Sequence, residues 1–366
     1  MKFITIVAVA GALGFATAIP TQENGYGKGW DLRNFKSLVA FGDSYTDESR
    51  LAYFSENGAA PPVGTILQEG LATSTGGRVW ARYVVQYTGV NLYNYAVSGA
   101  VCSNDITPRF LSEALGLFPS VQQYEIPAFI ADSAYVSPQG NKVLDIPADQ
   151  TVYAIWIGTN DLGNKAFLTD SQVKGKTLVD YMDCVYSALD EVYKNGGRYF
   201  VVMNVAPLQL LPQYAVPEAG GLSATQYWKD KPSNITEISY RMLESVVTVN
   251  DIYKYKTPYE VKVAQRYPGA QFAVFDTNAL LSDIYYHPEQ FLNGTAPLDV
   301  TSSVNVCDAV TEKCTRDPNA DAYAWFDALH PSEQTDRIIA REFVELTKGA
   351  SKYATYWGCE EGNLST

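Results

Sequence analysis

Two histidines, His287 and His330, are the only ones in this chain of 366 residues, so a histidine base, if one is used, must be one of them. Asp327 precedes His330 by three residues, in the stretch W-F-D-A-L-H-P, whereas Asp283 lies four residues before His287. A carboxylate three residues away across a turn can reach the imidazole and fix its tautomer and orientation. This spacing favours His330 as a general base and Asp327 as its orienting partner, although either histidine could be structural.

Ser44 is the candidate nucleophile for such a base. It follows four consecutive apolar residues in S-L-V-A-F-G-D-S-Y-T-D, and a short apolar run of this kind is typical of a strand buried on both faces. A serine on the turn that leaves a parallel strand lies at the carboxyl edge of the sheet, where open α/β sheets bind their ligands. Gly-Asp-Ser is also an ordinary turn, so this stretch alone leaves both interpretations open.

A serine nucleophile needs hydrogen-bond donors for the negative charge that develops on the substrate oxygen. The backbone N–H of Ser44 is one. Gly99 follows a predicted strand, and its N–H can be approached closely because glycine has no side chain. Asn160 follows the next strand and can offer its side-chain amide. Each residue alone is common in turns, but together, at three successive strand ends, they predict an oxyanion hole.

The segments that must position these residues alternate between strand and helix. Strands are predicted at 37–42, 90–96, 151–157, 198–205 and 271–276, and helices at 77–88, 119–132, 171–195, 233–265 and 331–348. This alternation predicts an α/β fold, a three-layer α/β/α sandwich around a five-stranded parallel sheet. Residues 206–233, rich in proline and glycine, are expected to cap the site, and 277–326 to form a long excursion. Because the chain contains no linker-like tract, we expect residues 19–366 to form one domain.

The N-terminus has the pattern of a secretory signal peptide. Lys2 is followed by an apolar run and then by Ala16-Thr17-Ala18, so cleavage is expected after Ala18, with residues 1–18 removed. Three N-x-S/T sequons add glycosylation sites, of which we expect two to be occupied. They lie at Asn234, Asn293 and Asn363. We therefore expect a secreted, extracellular glycoprotein.

Charge and cysteine content limit the partners and the compartment. The formal net charge is -13, from 27 basic and 40 acidic residues, which argues against nucleic acid or an anionic membrane as a partner. No cluster of residues has metal-ligand spacing, so we expect no metal and no cofactor. We also expect the protein to be a monomer. Of the five cysteines, Cys307 and Cys314 are expected to form a disulfide across a polar loop. The pairing of Cys102, Cys184 and Cys359 stays open, with at least one of them free or paired between molecules.

Four short motifs give the chain a resemblance to the GDSL-type, or SGNH, hydrolases. F-G-D-S-Y-T-D resembles the serine motif, with tyrosine where leucine is commoner, and N-Y-A-V-S-G-A, I-G-T-N-D and D-A-L-H-P follow in the family's order. The resemblance implies that Ser44 is the nucleophile and that Gly99 and Asn160 complete an oxyanion hole with the Ser44 N–H. It further implies that Asp327 and His330 form the pair that orients and transfers the proton, on a flavodoxin-like sheet of strand order 2-1-3-4-5.

More narrowly, the stretches around the first three motifs are similar to the fungal secreted acetylesterases of carbohydrate esterase family 16. Members of that family remove acetyl groups from xylo-oligosaccharides and related sugars. The resemblance implies a serine esterase for short-chain acyl esters, with an acetylated oligosaccharide or another small ester as substrate. Two alternatives remain: a lipase-like or phospholipase-like acyl hydrolase for longer chains, and a non-catalytic binding protein on an inactivated hydrolase scaffold.

Overall fold

The computed structural model describes residues 30–33, 35–311 and 313–358. The predicted signal peptide, Cys359 and the sequon at Asn363 lie outside the described residues. That residues 19–366 form one domain, and that the protein is a monomer, stay predictions. In the part of the chain that is described, no helix is both long and apolar enough to span a membrane.

A six-stranded sheet forms the centre of the molecule. Its strands are β1 (Ser37–Gly42), β2 (Asn91–Asn94), β3 (Thr151–Trp156), β4 (Tyr199–Met203), β5 (Gln271–Phe275) and β6 (Ala354–Gly358). They lie in the order β6-β5-β4-β3-β1-β2, and all neighbours are parallel except β6, which is antiparallel to β5. The α/β class and the order of the five parallel strands are confirmed, but the five-stranded count is corrected by the edge strand β6.

Eight α-helices are described on the two sides of the sheet. They are α1 (Arg50–Asn57), α2 (Trp80–Thr88), α3 (Ile126–Ala134), α4 (Thr159–Leu162), α5 (Leu178–Lys194), α6 (Ile235–Pro258), α7 (Thr277–Tyr286) and α8 (Glu333–Thr347). One group packs together as α2, α7 and α8, and another as α3, α5 and α6. Phe275 of β5 contacts Phe343 of α8, whereas Phe41 of β1 contacts Phe129 of α3. Side chains of the sheet thus pack against both groups, which gives the three layers.

The centre of the sheet is buried on both faces. All six residues of β1 and all six of β3 are buried, as their uninterrupted apolar runs predict. The helix α7 lies in the segment 277–326, which the sequence predicts to be a long excursion and in which it predicts no helix. The side chain of Asp276 accepts a hydrogen bond from the N–H of Ala279 at 2.9 Å and so caps α7 at its start.

Two disulfides link segments around the sheet. The Cys307–Cys314 disulfide that the sequence predicts joins the short antiparallel strands Asn305–Cys307 and Cys314–Arg316. The second disulfide, Cys102–Cys184, ties the loop after β2 to α5 and closes 82 residues of sequence. It resolves the pairing of two of the three cysteines that the sequence leaves open.

Candidate active site

Ser44 lies on a tight turn at the carboxyl end of β1. The strand ends at Gly42, whose φ of +147° is unfavourable for other residues. A Cβ atom on Gly42 would lie 2.1 Å from the carbonyl oxygen of Trp156 in β3, so only glycine fits. The chain therefore leaves the sheet abruptly, and Ser44 follows at the sheet's edge.

Hydrogen bonds connect Ser44 to His330 and His330 to Asp327. Ser44 and His330 are 286 residues apart in the sequence, whereas His330 and Asp327 are 3 residues apart. The Ser44 Oγ lies 2.8 Å from His330 Nε2, and His330 Nδ1 lies 2.9 Å from Asp327 Oδ1. All three side chains are buried. The order of contacts is that of a nucleophile, a base and an orienting carboxylate.

Asp327 is held by its own turn. Its Oδ1 accepts the backbone N–H of Leu329 at 2.8 Å and that of His330 at 3.0 Å. Burial on its own would raise the pKa of Asp327, but the charge of His330 and the hydrogen bonds from His330 and Tyr227 outweigh it, so the pKa is lowered below its ordinary value of 3.8. Asp327 is therefore ionised at neutral pH and can orient the His330 ring.

Tyr227 is a site residue that the sequence does not predict. It belongs to the segment 206–233, and its hydroxyl donates to Asp327 Oδ2 at 2.6 Å and lies 3.4 Å from His330 Nδ1. The expectation that this segment covers the site agrees with that contact. No local pattern marks this tyrosine among the 26 in the chain, because the contact spans 100 residues of sequence.

The three predicted oxyanion donors follow the adjacent strands β1, β2 and β3. Among the described residues, the backbone N–H groups of Ser44 and Gly99 have no hydrogen-bond acceptor. Asn160, in α4, donates one Nδ2 hydrogen to the carbonyl of Ala100 at 2.8 Å, which leaves the other hydrogen available. Gly99 has a φ of +85°, which glycine alone adopts without strain.

Two buried carboxyl groups lie beneath the site. Burial raises the pKa of Asp43 to about 6, and the N–H of Tyr45, which donates to Asp43 Oδ1 at 3.1 Å, opposes the shift. Burial raises the pKa of Asp161 to about 7, opposed by hydrogen bonds from the N–H of Cys102 and the hydroxyl of Thr107. Both groups bind backbone at strand ends, so they support the turns that carry the site.

A cavity of about 430 Å³ adjoins Asp327 and Tyr227. Its wall is mostly polar and includes Asp47, Ser74 and Ser98, so it can offer hydrogen-bond partners to a polar molecule.

The remaining predicted site residues lie elsewhere. His287 is exposed at the C-terminal end of α7. Asn234 and Asn293 are exposed, as attachment of a glycan requires. No group of three or more histidine, cysteine or acidic residues within 30–33, 35–311 and 313–358 is arranged to hold a metal ion.

A sheet that presents serine, histidine and aspartate in hydrogen-bonded series at its carboxyl edge is typical of a serine hydrolase. The chain belongs to the GDSL-like lipase/acylhydrolase family, whose model matches residues 38–343. It is a carboxylic ester hydrolase, as the four motifs predict.

The relatives of this chain include fungal esterases. It is 39% identical over 327 residues to an acetylesterase from Hypocrea jecorina, which covers 88% of this chain and 92% of that relative. It is 29% identical over 216 residues to an acetylesterase from Thermothelomyces thermophilus, covering 58% and 65% of the two chains. Among solved structures, the acetylxylan esterase Axe2 from Geobacillus stearothermophilus is similar with a TM-score of 0.38 and 15% identity, over 87% of this chain and 97% of that one.

Proposed function

We propose that this protein is a secreted serine esterase that removes short acyl groups, chiefly acetyl, from xylo-oligosaccharides and other acetylated sugars. The observation that carries the catalytic part is the hydrogen-bonded series from Ser44 through His330 to Asp327. The acetyl preference is supported by the acetylesterase that is 39% identical over 88% of the chain. The polar cavity beside Asp327 can offer hydrogen-bond partners to the hydroxyl groups of a sugar.

The reaction proceeds through an acyl-enzyme. Ser44 Oγ attacks the ester carbonyl while His330 Nε2 accepts its proton, and Asp327 stabilises the imidazolium. The oxyanion receives hydrogen bonds from the N–H groups of Ser44 and Gly99 and from Asn160 Nδ2. Collapse of this intermediate breaks the ester bond, and the alcohol leaves with the proton from His330.

Water then completes the cycle. His330 takes a proton from the water molecule, which attacks the acyl-enzyme carbonyl, and the second tetrahedral intermediate expels Ser44. The proton returns to Ser44 Oγ, and the carboxylic acid is released. No metal or cofactor is needed for these steps.

Secretion is supported by two features. The N-terminal residues 1–18 have the pattern of a signal peptide, and disulfides such as Cys102–Cys184 persist in oxidising compartments. Expression with and without residues 1–18 tests this point, because the protein should reach the culture medium only with them.

The substrate is tested by measuring kcat/KM on p-nitrophenyl esters from acetate to decanoate, together with acetate release from acetylated xylo-oligosaccharides. We expect a steep fall beyond acetate or propionate and release of acetate from the oligosaccharide. A rise towards octanoate without activity on the oligosaccharide would instead identify a lipase-like acyl hydrolase for longer chains.

A further inference from the structure

We propose that Arg109 is a positioning residue that sets the orientation of the Asn160 amide in the oxyanion hole. This inference rests on the proposed serine esterase function. An asparagine side chain has a donor end and an acceptor end, and only the Nδ2 end can bind an oxyanion. Neighbouring groups must therefore prevent the Asn160 amide from flipping, which would exchange its Nδ2 and Oδ1 ends.

The contacts of Asn160 determine which end faces where. Asn160 Oδ1 accepts a hydrogen bond from Arg109 Nη1 at 2.9 Å, and Asn160 Nδ2 donates to the carbonyl oxygen of Ala100 at 2.8 Å. Turning the amide over would place its NH₂ group against the guanidinium and its oxygen against a carbonyl. Both hydrogen bonds would be lost, so Arg109 and Ala100 together hold Nδ2 in the donor position.

Arg109 is itself held rigidly. Its backbone N–H donates to Asn104 Oδ1 at 3.1 Å, its carbonyl accepts the N–H of Phe118 at 2.9 Å, and Asn104 Nδ2 donates to the Phe118 carbonyl at 2.9 Å. The guanidinium lies 5.5 Å from the centre of the Phe118 ring. A Cβ on Gly99 would lie 2.3 Å from that ring, so Phe118 packs directly on Gly99. The pair Arg109 and Phe118 thus contacts two of the three donor residues.

The charge of Arg109 is not neutralised by an ion pair. Burial lowers the pKa of Arg109, but a guanidinium stays protonated in proteins. Among the described residues, no carboxylate lies within 4.0 Å of it, although Asp161 and Asp43 attract it from farther away and oppose the lowering of its pKa. A cation kept partly desolvated without an ion pair is costly, so breaking its charge-assisted hydrogen bond to Asn160 Oδ1 would be unfavourable, and the amide is held in its donor orientation.

The test compares Arg109→Ala and Arg109→Lys with the wild type on p-nitrophenyl acetate. We expect Arg109→Ala to lower kcat about 10- to 100-fold with KM changed less than about threefold, because the loss is felt when the oxyanion forms. Lysine keeps the charge but has a different geometry, so Arg109→Lys should lie between. Guanidinium ion at millimolar concentration should restore part of the activity of Arg109→Ala and none of that of Ser44→Ala.

A double-mutant cycle with Asn160→Ala separates positioning from a structural role. If Arg109 acts through Asn160, the double variant should be no slower than Asn160→Ala by more than about twofold. Phe110→Ala, at the exposed position next to Arg109 in the chain, is the matched control and should keep wild-type activity and melting temperature.

Three results would overturn the inference: full kcat in Arg109→Ala, multiplicative losses in the cycle, or an equal drop in kcat for Arg109→Lys and Arg109→Ala without rescue. If Arg109→Ala does not fold, the Arg109→Lys variant decides through its kcat and KM alone. Failure of the proposed function is seen separately, because Ser44→Ala would then keep its activity.

Discussion

The Asp327 carboxylate accepts four hydrogen bonds, and these fix the orientation of the His330 ring. Asp327 accepts from His330 Nδ1, from two backbone N–H groups of its own turn and from the hydroxyl of Tyr227. The ring is thereby held with Nδ1 towards the carboxylate and Nε2 towards Ser44. The reactivity of Ser44 depends on this arrangement, because a serine hydroxyl is a weak nucleophile without an adjacent base.

Substitution of Ser44 or His330 tests the roles of the two residues. Ser44→Ala and His330→Ala should each lower kcat on p-nitrophenyl acetate by a factor on the order of 10⁴ or more while the protein stays folded. His287→Ala is the matched control, because His287 is exposed at the end of α7 and should be replaceable without loss. A comparable loss at His287, or retained activity in Ser44→Ala, would contradict the assignment.

Tyr227→Phe tests the outer contact of the series. The change removes the 2.6 Å hydrogen bond to Asp327 Oδ2 and keeps the ring. This hydrogen bond lowers the pKa of Asp327, so its loss should raise that pKa towards 3.8, where the carboxylate is still ionised at neutral pH. The effect of the substitution should therefore appear in kcat, through a less firmly held Asp327 and His330. We expect a fall in kcat of about threefold to tenfold, which is smaller than the roughly 1.5–3 kcal/mol of a hydrogen bond to a charged group, because this bond is present in both the ground state and the transition state. An unchanged kcat would show that Tyr227 only packs against the site.

The residues of the site differ in how far the sequence predicts them. Ser44, His330 and Asp327 follow from motif and elimination, because two histidines leave few choices and the Asp327 turn is local. Tyr227 and Arg109 lie in loops that reach the site through tertiary packing. No periodicity or spacing marks such residues, so only the three-dimensional contacts identify them.

At the scale of elements, the turn after β1 is the critical feature. The Gly42 N–H donates to Glu125 Oε2 at 2.9 Å, and the absent side chain lets β1 pass the carbonyl of Trp156. Burial raises the pKa of Glu125 well above its ordinary value, which favours the neutral form of the carboxyl group. The π-helical turn Val121–Glu125 before α3 thus supports the strand that presents Ser44.

Gly42→Ala should therefore destabilise the fold by more than backbone strain alone explains. A left-handed or otherwise unusual φ costs roughly 1 kcal/mol for alanine, and here a 2.1 Å contact with backbone must also be relieved. Gly89→Ala is the control, because Gly89 has a φ of +77° but open space around it. Thermal unfolding should show a clearly larger loss for Gly42→Ala, with loss of esterase activity. Equal losses in the two variants would refute the steric argument.

The sequence predicts an element well where both of its faces are buried. Central strands such as β1 and β3 read as apolar runs because both faces are covered. The edge strand β6 is antiparallel and only partly buried, so its short mixed sequence carries no such signal. Helix α7 lies within a long stretch rich in turn residues, and its apolar face spans only ten residues.

At the scale of the whole molecule, buried carboxyl groups couple stability to pH. The pKa of Asp161 is about 7 in the fold, against an ordinary value of 3.8, so between these values the native state holds a proton that the unfolded chain has lost. The contribution of Asp161 to stability therefore falls as pH rises from about 4 to about 7.

Asp161→Asn should remove this dependence while keeping an acceptor for the Cys102 N–H. From about pH 5 to about pH 8, the variant should gain roughly 2–3 kcal/mol in free energy of unfolding relative to the wild type. Urea unfolding of both proteins at the two pH values measures the difference. A constant offset between them would mean that Asp161 is ionised in the fold throughout.

The two disulfides should contribute unequally to the stability of the whole chain. Cys102–Cys184 spans 82 residues of sequence and Cys307–Cys314 spans only 7, and the chain-entropy relation assigns them about 4.5 and about 2.4 kcal/mol. We expect Cys102→Ala/Cys184→Ala to lower the melting temperature more than Cys307→Ala/Cys314→Ala. If loss of the Cys307–Cys314 disulfide lowered the melting temperature more, this disulfide would act through native contacts near Tyr227 and not through the unfolded chain.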